Sequence, residues 1–172
     1  MSNSLADLLT GFDCVADVHS EILILGSMPG IASLQQQQYY AHPRNAFWPI
    51  MQALYGIAAD LPYSERLMQL KKHKIALWDV AHQCVREGSL DSNIQAASVQ
   101  LNDFYSLFAA SQRIKRLCFN GAKAAALFNK GVLQSGNETV KNMQYLQLPS
   151  TSPANARLTL DQKIALWRQI LD

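Results

Sequence analysis

Two short stretches of this chain, Ile22-Leu-Ile-Leu25 and Ile75-Ala-Leu-Trp78, are apolar at every position. Two more, Ile114 to Phe119 and Tyr145-Leu-Gln-Leu148, are mostly so, and each of the four runs into a turn or loop signal. A strand with one wet face alternates apolar and polar residues. Strands that do not alternate need cover on both faces, which is the situation of a parallel sheet flanked by helices.

The segments between these runs read as helices. Expected spans are Leu5 to Leu9, Pro49 to Tyr55 stopped by Gly56, Ser64 to Lys72, Leu101 to Ala110, Ala122 to Phe128, and Leu160 to Leu171. Leu101, Phe104, Tyr105 and Phe108 fall at i, i+3, i+4 and i+7, an amphipathic stripe, and Thr159 is placed to cap the last helix. The expected fold is a three-layer α/β/α sandwich with a mainly parallel four-stranded central sheet. At 172 residues, without a repeat or linker, one domain spanning 1–172 is expected.

Composition narrows the class. Apolar residues make up 49% and charged residues 16%, which excludes a disordered chain. No apolar run approaches the roughly 18 residues of a membrane span. The start, Met1-Ser-Asn-Ser-Leu-Ala-Asp, lacks the pattern of a secretory signal, so the cytoplasm is expected, with no membrane partner. Cys14, Cys84 and Cys118 form no CxxC pair, and His19, His42, His73 and His82 show no HxxxH spacing. The thiols are therefore expected to be reduced and mostly buried, with no metal and no cofactor. The net charge of +2 permits a nucleic acid partner without requiring one. The basic clusters Lys71-Lys72-His73-Lys74 and Arg113, Lys115-Arg116 read as solvated element ends.

Ligands of such sheets bind beyond the carboxyl ends of the strands. Four segments fall there: Gly26 to Trp48, Asp79 to Ile94, Asn120-Gly-Ala-Lys123, and Pro149 to Asn155. Gly26-Ser-Met-Pro-Gly30 lets backbone amides approach a bound group, or is simply a tight turn; it lacks the spacing of a dinucleotide or triphosphate cradle. Tyr39 and Tyr40, next to His42, Arg44 and Asn45, offer a ring and an amide suited to stacking a planar heterocycle and reading its edge. The alternatives are packing for the tyrosines and a helix cap for Asn45. Pro149-Ser-Thr-Ser-Pro-Ala-Asn155 has small hydroxyls that suit a phosphodiester, or an ordinary connection. Asp79 could accept from a substrate N–H or cap its loop. No nucleophile triad or paired carboxylates emerge.

Taken in order, GSMPGIAS, then YYAHPRNAFW, then STSPAN resemble the uracil-DNA glycosylase superfamily. HPRNAFW looks like the HPxNRFW segment of mismatch-specific uracil and thymine-DNA glycosylases, and the motif combination resembles the hypoxanthine-DNA (deoxyinosine) glycosylase branch. The resemblance also takes in the WDV, GSLDS and FNGAK segments, which is most of the active face. It implies a monofunctional enzyme that flips a deaminated base, most simply hypoxanthine, out of DNA and hydrolyses its N-glycosidic bond. Uracil or mismatch-specific excision, a nucleoside hydrolase, and a non-catalytic damaged-DNA-binding module are the alternatives. The implied roles are water positioning for Asn45 and base binding for Ser27, Met28, Pro29, Gly30, Tyr40 and Asp79. DNA contacts are implied for Ser33, His42, Lys123 and Ser150, Thr151, Ser152, Pro153, Ala154 and Asn155. Most branches carry an acid or amide inside the first glycine motif, where this chain has Ser27 and Met28. Ser150 stands where uracil-specific enzymes have histidine, and Ala154 where relatives often carry a leucine. The clustered cysteines of iron–sulfur members are missing, so no cluster is implied. The expected partner is DNA containing deaminated bases, bound by a monomer.

Overall fold

The computed structural model describes residues 7–172. The four apolar runs form one parallel sheet of β2 (Ile22–Gly26), β3 (Ile75–Asp79), β6 (Arg116–Asn120) and β7 (Gln144–Leu148), in the order β3-β2-β6-β7. Both faces are dry over β2, β3 and β6, as continuous apolar strands require, while β7 at the edge is largely exposed up to Leu148. Ile24 of β2 and Cys118 of β6 pack against Phe47, Ile50 and Met51 of α2 (Phe47–Tyr55), Leu70 of α3 (Tyr63–Lys72) and Trp167 of α7 (Leu160–Trp167). Their neighbours Leu23, Leu25, Leu117 and Phe119 point the other way. They meet Phe104 and Phe108 of α4 (Phe104–Ala110) and Ala124 and Phe128 of α5 (Ala122–Gly131). The period of two along β2 thus divides the core into two halves and produces the three layers.

The chain leaves β2 through α1 (Ile31–Gln36), α2 and α3 to β3 on one side, then returns to β6 on the other. The strand order therefore reverses at β2. The crevice between the carboxyl ends of β2 and β6 is the topological switch point, where sheets of this kind take ligands. Every segment expected beyond the strand ends meets there.

Several expectations are corrected. Leu8 and Leu9, expected as the end of an opening helix, belong instead to strand β1 (Leu8–Thr10); Leu5 and Ala6 lie outside the described residues. It pairs antiparallel with β4 (Ala81–Val85), which also holds β5 (Gln100–Leu101), giving a second, three-stranded sheet. Pairing across more than 70 positions, Leu8 to Val85, overrides the local helical preference. The helix expected from Leu101 starts instead at Phe104, because Asp103 caps it by accepting from Ser106 N and Leu101 belongs to β5. Tyr105 is exposed, and Leu107 takes its place in the core. The strand expected from Ile114 starts at Arg116. α2 begins at Phe47, before Pro49, and stops at Gly56, as expected. The last helix is α-helical to Trp167 and closes in a 3-10 turn, Arg168–Leu171; Thr159 caps it in a reciprocal box with Gln162. α6 (Glu138–Lys141) is a single turn before β7. No helix among the described residues is long and apolar enough to cross a membrane.

Trp167 links the core to the site. It is fully buried against Phe47, and its Nε1 donates to Pro149 O at 2.8 Å, fixing the start of the terminal loop. Trp167→Ala is expected to cost about 3–5 kcal/mol, read as a lower urea midpoint at unchanged slope.

Candidate active site

A cleft of ≈ 490 Å³ opens at the switch point. Its floor is built where β2 and β3 end side by side: Gly26 pairs with Asp79 in the parallel register. A Cβ on Gly26 would stand 2.5 Å from Asp79 Oδ1 and 3.4 Å from the Tyr40 hydroxyl, so only glycine leaves room for both groups.

Tyr40 holds a backbone conformation that an aromatic residue rarely adopts, with φ at 56°. Its two flanking peptides are pinned. Trp48 Nε1 donates to Tyr39 O at 3.0 Å, and Ala41 N donates to Ser33 Oγ at 3.2 Å. The ring stacks on Phe47 at 4.1 Å and lines the cleft. Strain of this type persists where surrounding bonds over-determine it, and it concentrates at functional sites.

Asp79 is buried, and its Oδ2 has no hydrogen-bond partner; the Tyr40 hydroxyl is likewise buried and unpartnered. Burial first, and the negative charge of Asp91 second, push the Asp79 carboxyl up to about 8. At neutral pH it is therefore largely a neutral acid, able to donate one hydrogen bond and accept another. The same burial, with Asp79 adding to it, raises the Tyr40 phenol.

The glycine motif forms the next wall. Arg86, 3% exposed, donates from Nη2 to Pro29 O at 2.6 Å, from Nη1 to Met28 O at 3.4 Å, and from Nε to Gly88 O at 2.8 Å. Because the Pro29–Gly30 peptide is trans, fixing its carbonyl on Arg86 turns the Gly30 N–H to the opposite side. Among the described residues, neither that amide nor those of Ser27 and Met28 finds a protein acceptor. The side chain of Ser27 donates to Asp91 Oδ1 at 2.5 Å. An acid thus reaches the first motif from another loop.

Asn45 lies across the cleft. Its Oδ1 accepts from Phe47 N at 2.9 Å and its N donates to His42 O, so the amide is oriented by the start of α2 while the residue lines the cleft. The cap of α2 is Ala46, so Asn45 stands one residue before the expected cap position, and its bond to Phe47 N is a local turn on the helix entry; one oxygen lone pair is used, leaving the other and the Nδ2 donors. His42 also lines the cleft, and its Nδ1 accepts from Arg44 N.

The terminal loop closes the remaining side. Ser150, Ser152, Pro153, Ala154 and Asn155 line the cleft. Ser150 Oγ accepts from Ser152 N and Ser152 Oγ from Ala154 N, a chain of local turns. Thr151, fully buried, is bonded to both atoms of the Asn120 amide, at 2.9 Å each, and takes a hydrogen bond from Ala46 N. Ser33 and Thr151 also line the cleft, although both are buried and their hydroxyls accept from Ala41 N and Asn120 Nδ2. Lys123 stands on the first turn of α5 outside the cleft, and Asn120 is the residue of that turn that reaches it. The turn itself depends on Gly121, whose φ of +100° and close approach to Ser150 exclude a side chain.

Ser89, Leu90 and Asp91 of the GSLDS segment and Asn120 of the FNGAK segment line the cleft, although the motifs assign none of them an individual role, and Arg157 lines it from outside every motif. Arg157 lies two residues beyond the terminal motif, within reach of a wider window; for the others the motif marks the segment but not the residue that reaches the cleft.

The raised Asp79 carboxyl costs stability as it ionises. The native state holds its proton between the ordinary value of 3.8 and about 8, so the stabilisation is full below the former and lost as pH rises through the latter. Asp79→Asn is expected to melt higher relative to the parent at pH 8 than at pH 5. A difference in melting temperature that does not change with pH would contradict this.

Residues 12–171 match the uracil DNA glycosylase superfamily. A protein named hypoxanthine DNA glycosylase from Methanosarcina acetivorans is 38% identical over 154 residues, 89% of this chain and 92% of that protein. A second protein of that name, from Methanosarcina barkeri, is 41% identical over 115 residues, 66% of this chain and 72% of the relative. The solution NMR structure of a candidate uracil DNA glycosylase from Methanosarcina acetivorans superposes with a TM-score of 0.77 at 35% identity, covering 96% of this chain and all of that one.

Proposed function

The chain belongs to the uracil DNA glycosylase superfamily, and from that premise we propose that it is a monofunctional DNA glycosylase releasing hypoxanthine from deoxyinosine in base excision repair. It acts as a single-domain monomer on DNA containing deaminated bases, in the cytoplasm. The observation that carries this reading is the convergence on one cleft of a strained, pinned aromatic, an oriented amide and free backbone N–H groups. The names of the two Methanosarcina relatives support the choice of base.

The chemistry follows from the geometry. A flipped nucleotide sets its base between Tyr40 and the Gly26–Gly30 wall. Asp79, neutral near pH 7, gives the base edge a donor and an acceptor where an ionised carboxylate would repel its ring nitrogens and keto oxygen. Asn45 holds a water through its free lone pair and Nδ2. That water bonds to C1′ as the C1′–N9 bond breaks and loses a proton to solvent. The bonding pair leaves with the base, which takes up a proton and departs as neutral hypoxanthine, leaving an abasic sugar. Positive charge develops on the sugar and negative charge on the base, and fixed dipoles of the Ser27, Met28 and Gly30 amides meet the latter. Ser150, Ser152 and Asn155, with Arg157 and His42 at the rim, hold the flanking phosphates.

The test is alkali cleavage of duplexes carrying deoxyinosine, uracil, xanthine or no lesion. Deoxyinosine should be cut. Asn45→Ala should lower single-turnover release by about 10²–10⁴-fold and also lose about 1 kcal/mol from its bond to Phe47 N. Asn45→Asp keeps that bond and removes the Nδ2 donor, so release should stay low while the melting temperature returns. Parent-like release by Asn45→Ala would contradict the water-positioning role, and silence on every duplex would favour a binding module.

A further inference from the structure

Two large apolar residues that line the cleft are also exposed: Ile31 at 42% and Leu90 at 50%. They are neighbours on the rim, since Ile31 N donates to Ser89 Oγ at 2.9 Å. Leu90 sits at the tip of the loop after β4, and that tip is fixed from several sides. Arg86 Nε holds Gly88 O, Ser27 Oγ holds Asp91 Oδ1, and Asn93 N donates to Leu90 O at 3.0 Å. Every bond around Leu90 is made by the residues beside it, while its own side chain is half in water. Burying an exposed leucine is favourable, and a tip already ordered gives up little conformational entropy when it does so. Across the cleft, the exposed Ala154 of the terminal loop offers only a methyl group.

We propose that Leu90 is the wedge of this protein: its side chain enters the base stack of duplex DNA in the space left by the flipped nucleotide, with Ile31 backing it against the groove. This rests on the glycosylase reading above. Extrusion leaves a gap between the neighbouring base pairs, and an apolar side chain inserted there both keeps the vacated stack from closing and is itself removed from water. A wedge must stand beside the pocket that receives the base. Leu90 does so through Asp91, whose carboxylate touches the first motif.

The experiment compares single-turnover hypoxanthine release from two duplexes by the parent, Leu90→Ala and Leu90→Met. In one duplex deoxyinosine faces cytosine. In the other it faces a pyrene nucleotide, whose bulk fills the stack and expels the base without help. Leu90→Ala should release hypoxanthine roughly 10–100-fold more slowly from the cytosine duplex and at close to the parent rate from the pyrene duplex, while Leu90→Met stays near the parent on both. Equal losses on the two duplexes, or no loss opposite cytosine, would overturn the wedge. Failure of the parent on both would instead overturn the glycosylase reading, and the wedge with it.

Discussion

Three loops of this protein meet in one buried residue. Thr151 has no exposed surface, and its hydroxyl, amide and carbonyl are bonded respectively to Asn120 Nδ2, to Asn120 Oδ1 and from Ala46 N. These three bonds fasten the end of β6, the entry to α2 and the terminal loop to one another. Buried polar groups are costly unless satisfied, so the arrangement is close to all-or-none: a shift of one loop strands groups on the other two. The cleft inherits its shape from this. Asn45 precedes Ala46, Ser150 precedes Thr151, and Gly121 follows Asn120, so each wall stands one residue from the junction.

The opposite half of the cleft is held by charge. Arg86 is nearly inaccessible and, among the described residues, forms no ion pair; it donates to carbonyls of both the glycine motif and the loop carrying Leu90. A guanidinium fits this duty because its donors lie in a fixed fork and it stays charged when desolvated. Close by, Asp79 is buried without a partner, and the unfavourable ionisation is relieved by keeping its proton. Both groups weaken the fold relative to apolar substitutes. A protein tolerates such groups where they orient something, and here they orient the amides and the floor of one cleft.

The parallel sheet was legible because β2 and β3 are apolar throughout, a pattern few other environments accept. The helices facing it could be read from period and caps, most clearly at Gly56 and Thr159. The second sheet was not legible. β1 and β5 are very short, and their pairing with β4 spans long separations that local patterns do not encode. The site was readable where it lies in contiguous motifs, at Gly26–Gly30, Tyr40–Asn45 and Ser150–Asn155. It was unreadable where function depends on exposure or on which neighbour a hydroxyl finds. Ser33 and Thr151 line the cleft as expected, but that each hydroxyl already accepts a bond from a protein neighbour, Ala41 N or Asn120 Nδ2, is visible only in the fold. Leu90 lies within the GSLDS segment, but that it stands half exposed at the rim of the cleft is visible only in the fold.

The departure in the first motif acquires a physical explanation from the same contacts. The resemblance leads one to expect an acid or amide within this turn, as in most branches of the superfamily, whereas here Ser27 donates its hydroxyl to Asp91, 64 residues away. The pairing returns a carboxylate to the mouth of the cleft but commits one of its oxygens to serine. A carboxylate so engaged is better suited to stabilising positive charge on a sugar through space than to taking a proton from water. The leaving base then has to carry more of the barrier. Hypoxanthine departs more readily than adenine, which fits the proposed roles of Asn45 as the amide that holds the water and of Asp79 as a neutral acid at the base edge. In the proposed mechanism the chemistry is therefore distributed: the cleft offers no paired general base among the described residues, and the two walls that would share the work are held against each other by the Thr151 junction and the Arg86 clamp.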